Sequence, residues 1–174
     1  MASSFLAISS YMSAAPLNPN YKADEYEFYL NDLKPKIVLV EPNSTNSAVA
    51  VAKKLKIPVC EIKIKKNQPT GFFDLFNKEN NFNEPDENDE ALVLHTSGTT
   101  SRPKIVPLTN RNIYSSSLNI SKSLSLSEKD HCLNIMPLFH IHGLIAIIAS
   151  SMKSGASVCA STVSYTHLTL PTTD

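Results

Sequence analysis

Nine consecutive residues, Thr96-Ser97-Gly98-Thr99-Thr100-Ser101-Arg102-Pro103-Lys104, bring small side chains, several hydroxyls and a terminal cation together between two apolar stretches. Backbone N–H groups freed by a turn, those hydroxyls and the Lys104 ammonium are the donors and the positive charge that a polyphosphate needs. Gly98, one of only four glycines in the chain, stands where such a loop must bend. The string is not the GxxxxGK[ST] phosphate loop, because the second glycine is missing and Ile105 follows Lys104, and GxGxxG is absent as well. By composition alone a Ser/Thr/Gly segment between strands is also an ordinary turn. Arg102 reads equally well as a phosphate contact or as a solvated loop cation, and His131 and His142, lone imidazoles beside apolar segments, read as core histidines.

Such a loop works only if strands hold its ends. Residues 91–96 and 105–108 are strand candidates, and a helix opens at Thr109 with Ile113, Ser117, Ile120 and Leu124 on one face. A further strand candidate, residues 132–136, leads into Pro137-Leu138-Phe139-His140-Ile141-His142-Gly143 and an apolar helix that ends near Gly155. Upstream, residues 22–33 place Tyr26, Tyr29, Leu30 and Leu33 on one helical stripe, with Asp24 and Glu25 favouring the first turn. The apolar run 36–40 between Pro35 and Pro42 reads as a strand buried on both faces. Asn43 and Ser44 are cap candidates for a helix through residues 48–52, and a second strand centres on residues 57–60. This βαβ rhythm implies an α/β fold with mostly parallel strands and flanking helices. Residues 77–90, NKENNFNEPDENDE, are too polar to bury and read as a surface linker.

With 174 residues and 42% hydrophobic content, the chain is long enough for one domain or a slice of a larger one. Sixteen basic side chains balance sixteen acidic ones, so no long-range field gathers nucleic acid or an anionic membrane, and small-molecule chemistry is the expectation. Cys60, Cys132 and Cys159 lack CxxC spacing and read as reduced core residues in a cytosol-like compartment. The first residues carry no Lys or Arg before Lys22, and serines interrupt their apolar run, which favours a helix over a signal peptide. The apolar stretch 144–152 falls short of the roughly 20 residues that span a bilayer. No carboxylate pair or metal-ligand cluster is evident, so no metal ligand is named.

The nine-residue string matches, at every position, the signature [ST]-[ST]-G-[ST]-T-[GS]-x-P-K of the adenylate-forming (AMP-binding) acyl-CoA synthetase superfamily, and the chain resembles that superfamily from about Phe5 to Val158. The resemblance implies a partial N-terminal adenylation domain over residues 1–161, in which Thr96, Ser97, Gly98, Thr99, Thr100, Ser101 and Lys104 embrace the β- and γ-phosphates of ATP. Met136-Pro137-Leu138-Phe139-His140 resembles the family's PxFH segment, whose histidine, here His140, lies beside the acyl site and the adenylate. An imidazole there donates a hydrogen bond at neutral pH without a permanent charge. One departure is Ile105, where family members carry glycine after the lysine; a β-branched residue does not readily adopt positive φ. The tail, residues 162–174, does not continue the family pattern and reads as non-native.

The implied activity of the parent enzyme is ATP-dependent acid–CoA ligation. A carboxylate attacks the α-phosphate of Mg-ATP, pyrophosphate leaves, and the thiolate of CoA displaces AMP from the acyl-adenylate. HTSGTTSRPK with PLFHIHGL is closest to the oxalate–CoA ligase branch, related to the coumarate–CoA ligases, with fatty or cinnamate-type acids as the alternative substrates. ATP, Mg2+ and CoA are therefore the expected cofactors of the full-length enzyme, and a small carboxylic acid its partner, with cytoplasmic or peroxisomal localisation. The family's later magnesium, ribose and lysine motifs are not in this chain, so the chain alone is expected to be inactive. A non-catalytic nucleotide-binding module and a purely structural α/β module are the readings from other classes.

Overall fold

A computed structural model describes residues 1–64, 67–68, 72–74, 84–96 and 103–160. The chain divides into two compact units, Leu17–Glu84 and Met1–Pro16 with Pro85–Asp174.

In the Leu17–Glu84 unit, α2 (Ala23–Leu33) follows α1 (Ala2–Ser9) of the other unit in chain order, and Glu25 accepts a hydrogen bond from the Lys22 backbone N–H at its start. Of its expected stripe, Tyr26 and Leu30 are buried while Tyr29 and Leu33 are half-buried. Strand β1 (Val38–Val40), helix α3 (Ser47–Lys54) and strand β2 (Val59–Glu61) form the expected βαβ unit, with β1 and β2 parallel and Leu39 opposite Cys60. The cap of α3 is Asn46, whose side chain accepts from the Ala48 N–H, and not Asn43 or Ser44. Asn43 instead takes φ 56° in the turn after β1, a conformation that Asn tolerates better than most residues. Tyr26, Leu30, Ala48, Val51 and Ala52 make the core. Two-residue strands β3 (Lys63–Ile64) and β4 (Phe73–Asp74) pair antiparallel.

The other unit carries both chemical motifs. Helix α1 (Ala2–Ser9) buries Phe5, and the chain then adds Ala14 beside Leu92 in a parallel bridge, with Ala14 N–H donating to Ala91 O and Val93 N–H to Ala14 O. Strands β5 (Glu90–His95) and β6 (Ile105–Thr109) pair antiparallel, from His95 opposite Ile105 to Glu90 opposite Thr109. Helix α4 (Asn110–Ser123) starts on Thr109, whose Oγ1 accepts the Asn112 N–H while Asn112 Oδ1 accepts the Thr109 N–H. Its inward residues include Ser117 and Ser121; Leu124, expected on that face, is exposed because the helix has ended one residue earlier. Strand β7 (His131–Asn134) is followed by the PLFHIHG turn, a π-helical segment (His142–Ala149), α5 (Ser150–Lys153) and β8 (Ser157–Ala160), which returns parallel to β7.

The fold is thus α/β. Among the described residues, the parallel strand pairs β1–β2 and β7–β8 are each joined through a helical crossover, the Ala14–Leu92 bridge is also parallel, and the pairs β3–β4 and β5–β6 are antiparallel. The stretch between β5 and β6 is shorter than the dozen or so residues that a parallel return requires. Expected features of residues 77–83 and 162–174 lie outside the described residues. From Asp86 the polar stretch is an exposed turn, pinned by Asp86 N–H to Asp89 Oδ2 and by Arg111 N–H to Glu87 O.

Candidate functional site

The polyphosphate loop candidate is subtended by the β5–β6 hairpin, and its two ends are tied together. Thr96 N–H donates to Lys104 O at 3.0 Å, and Lys104 N–H donates to Thr96 Oγ1 at 3.0 Å. A threonine at this position therefore continues the hairpin for one step beyond the last ladder pair through its side chain. Thr96 and Lys104 are both exposed, and among the described residues no carboxylate pairs with Lys104, so its ammonium is available to an anion. Ser97, Gly98, Thr99, Thr100, Ser101 and Arg102 lie outside the described residues. Ile105 needs no positive φ: it is an extended residue of β6, opposite His95.

The hairpin stands on the same core as the histidine segment. Phe5, Ala14, Leu92, Leu144 and Ile145 are buried together, and Leu94, Leu108, Ile113 and Leu138 pack against them. Leu92 and Leu94 belong to β5 and Leu108 to β6, whereas Leu138 and Leu144 flank His140 on either side in sequence. Burial of these side chains is what holds the two motifs on one scaffold.

His140 is exposed, and its ring lies 4.6 Å from that of Phe139, tilted by 46°. Its backbone is fixed at both ends: His140 N–H donates to Pro137 O at 3.2 Å, and its carbonyl accepts from Leu144 N–H at 3.2 Å. Gly143 is required by close approach, since a Cβ there would stand 2.8 Å from Pro137 O. The following helix is wound with π geometry from His142, a pattern that often accompanies functional sites. Nothing in a run of Leu, Ile and Ala announces it.

Two histidines and the cysteines depart from expectation. His142 is exposed at the start of the π segment, and His131 is exposed in β7, its Nδ1 hydrogen-bonded to Ser157 Oγ on β8. Neither is a core residue: His131 falls on the outward alternation of β7, and His142 lies at the exposed start of the π segment. Beside His131, the Ser127 backbone N–H and then its hydroxyl hold the Asp130 carboxyl below its ordinary range. Cys60, Cys132 and Cys159 are in no disulfide; the first two are half-buried, and Cys159 is exposed on β8.

Asn134 was not singled out by spacing. It is the inward residue at the end of β7, almost wholly buried, and its Oδ1 accepts the Met136 N–H at 2.9 Å. The only sequence signal was an amide two residues along from Cys132, on the same side of the strand. Among the described residues no group of three or more His, Cys, Asp or Glu side chains is placed to hold a metal ion. No described helix is long and apolar enough to cross a membrane.

A family model described as AMP-binding enzyme matches residues 1–170. The probable CoA ligase CCL9 of Humulus lupulus is 42% identical over 153 residues, covering 83% of this chain and 29% of that protein. The oxalate–CoA ligase of Arabidopsis thaliana is 41% identical over 162 residues, covering 88% of this chain and 31% of its own. The crystal structure of ATP-bound MatB from Rhodopseudomonas palustris superposes with a TM-score of 0.66 at 26% identity, over 82% of this chain and 29% of that one. The chain accordingly spans about three tenths of the length of the curated relatives it matches. A tied hairpin and a PLFHIHG turn built on one core, inside a family match that runs from residue 1 to residue 170, make the chain a member of the AMP-binding enzyme family.

Proposed function

We propose that this chain is the ATP-handling N-terminal part of an acid–CoA ligase, of the kind that converts a small carboxylic acid to an acyl-adenylate and then to an acyl-CoA, with oxalate as the first candidate acid. The observation that carries the reading is the hairpin whose mouth Thr96 and Lys104 close, with an exposed lysine at the end of a string of hydroxyls and a bend glycine. Likeness to two CoA ligases, one named for oxalate, supports the acid–thiol chemistry, and likeness to an ATP-bound protein supports the nucleotide.

In this reading Lys104, Thr96, Ser97, Thr99, Thr100 and Ser101, with the backbone around Gly98, hold the β- and γ-phosphates. As the acid's oxygen bonds to the α-phosphorus and the bond to the bridging oxygen breaks, negative charge grows on the departing pyrophosphate. Hydroxyl and amide donors and a lysine aimed at that growing charge stabilise it more than they stabilise bound ATP. His140 offers its exposed imidazole to the acyl group as a hydrogen-bond donor. In the second step the CoA sulfur bonds to the acyl carbon and AMP leaves. The described residues supply no ligand set for magnesium, and no step is assigned to it.

The test is the full-length protein assayed for CoA thioester formation with oxalate, coumarate, medium-chain and long-chain acids, compared by kcat/KM. Oxalate ahead of the others is expected. Oxalate turnover no better than that of long-chain acids removes the oxalate assignment and leaves adenylation standing, because a hydrophobic tunnel would add about 0.8 kcal/mol per buried methylene whatever these motifs are.

A further inference from the structure

Asn134 is 1% exposed, yet its Nδ2 has no hydrogen-bond partner among the described residues. An unpaired buried amide donor is unfavourable, and the alternation of β7 makes this an inward position where an apolar side chain would pack without that penalty. The other half of the amide is engaged, since Oδ1 accepts the Met136 N–H at 2.9 Å. Met136 and Pro137 open the turn that carries His140. Pro137 O accepts from His140 N–H, and His140 O accepts from Leu144 N–H, each at 3.2 Å. Gly143 presses close to the same turn: a Cβ there would meet Pro137 O at 2.8 Å and Met136 O at 3.2 Å. The start of the turn is therefore in contact with both the Asn134 carboxamide and the bare Cα of Gly143. These two contacts set where the chain leaves β7, and with it the place of His140.

We propose that Asn134 is a positioning residue for acid activation: its buried amide oxygen seats the turn that presents His140, and the unpaired Nδ2 is the consequence of keeping an amide there. The proposal rests on the ligase reading of the chain, in which His140 faces the acyl group. A residue kept only for packing would favour an apolar side chain, so the penalty at Nδ2 points to the oxygen as the part that matters.

Three variants separate the roles. Asn134→Asp keeps an oxygen acceptor, Asn134→Leu removes it at similar volume, and Gly143→Ala crowds the same turn at Pro137 O and Met136 O. In the 174-residue chain, amide hydrogen exchange at Met136 and through the His140 turn should rise about ten-fold in Asn134→Leu and stay near wild type in Asn134→Asp. In the full-length ligase, Asn134→Leu and Gly143→Ala should each lower kcat about ten-fold, since small misplacements near the reacting groups are costly. The KM for ATP should move by no more than about two-fold, because the phosphate contacts are elsewhere. Unchanged exchange at Met136 in Asn134→Leu overturns the positioning role, as does a kcat loss that follows the thermal midpoint equally in all three variants. Should Asn134→Leu fail to fold, Gly143→Ala carries the same comparison. A wild-type full-length protein that forms no acyl-adenylate overturns the ligase reading and the catalytic half of this proposal, while the exchange result still decides what seats the turn.

Discussion

Thr96 and Lys104 show how a side chain can serve two ends. The Thr96 hydroxyl oxygen accepts the Lys104 amide and leaves its own hydrogen free to donate, so the residue can tie the hairpin and still face an anion. Thr96→Ser should keep both capacities. Thr96→Val keeps the shape and loses the oxygen, and it should slow ATP–pyrophosphate exchange by the full-length protein several-fold while Thr96→Ser does not; equal rates in the two variants would remove the tie from the mechanism. Lys104→Ala deletes a cation from the proposed phosphate site, and adenylation should fall by roughly ten- to a hundred-fold. Single-turnover formation of the adenylate is the measurement, and unchanged kinetics would strike Lys104 from the site.

Each element is built from local signals that a few residues carry. Helix α4 is fixed at its N-terminus by the reciprocal Thr109 and Asn112 contacts, and Thr109→Ala should cost about 1 kcal/mol in chemical denaturation of the 174-residue chain. Strand β5 depends on its inward residue Leu92, which is fully buried among Phe5, Ala14, Leu144 and Ile145. Leu92→Ala leaves a cavity where α1, β5 and the π segment meet, with an expected loss of about 2–5 kcal/mol. An effect below that of the Thr109 variant would mean that this core does not carry the unit. Strand β7 inverts the usual pattern, with Asn134 inward and Leu133 57% exposed, so its stability owes more to the ladder with β8 and to the Met136 contact than to apolar burial.

At the scale of the molecule, the chain holds the whole hydroxyl-rich string ending in Lys104 but only about three tenths of the length of its relatives. Groups that act together in catalysis do not contribute independently, so a subset retains far less than its share of the rate. The 174-residue chain is therefore expected to show no ATP–pyrophosphate exchange above a protein-free control, with or without a carboxylic acid. Exchange that depends on added acid would show that the chain is sufficient for adenylation.

What the amino-acid sequence determined by itself was whatever neighbouring residues settle among themselves. The hydroxyl-rich string ending in Lys104, the βαβ rhythm of residues 36–60, the helix opening at Thr109 and the PLFH segment all depend on spacing and propensity over a few positions. Tertiary structure decided the rest. It set the antiparallel return of β6 on β5, the outward placement of His131 and His142, the late cap at Asn46, the π winding after His140, and β8, which no local pattern announced. It also decided that Asn134 is buried with one end of its amide engaged and the other without a partner among the described residues. The physical reason is that burial belongs to a face. Which side of a strand or turn meets the core depends on residues far away in sequence, here Phe5 and Ala14 against Leu92 and Leu144, and no local window contains both partners.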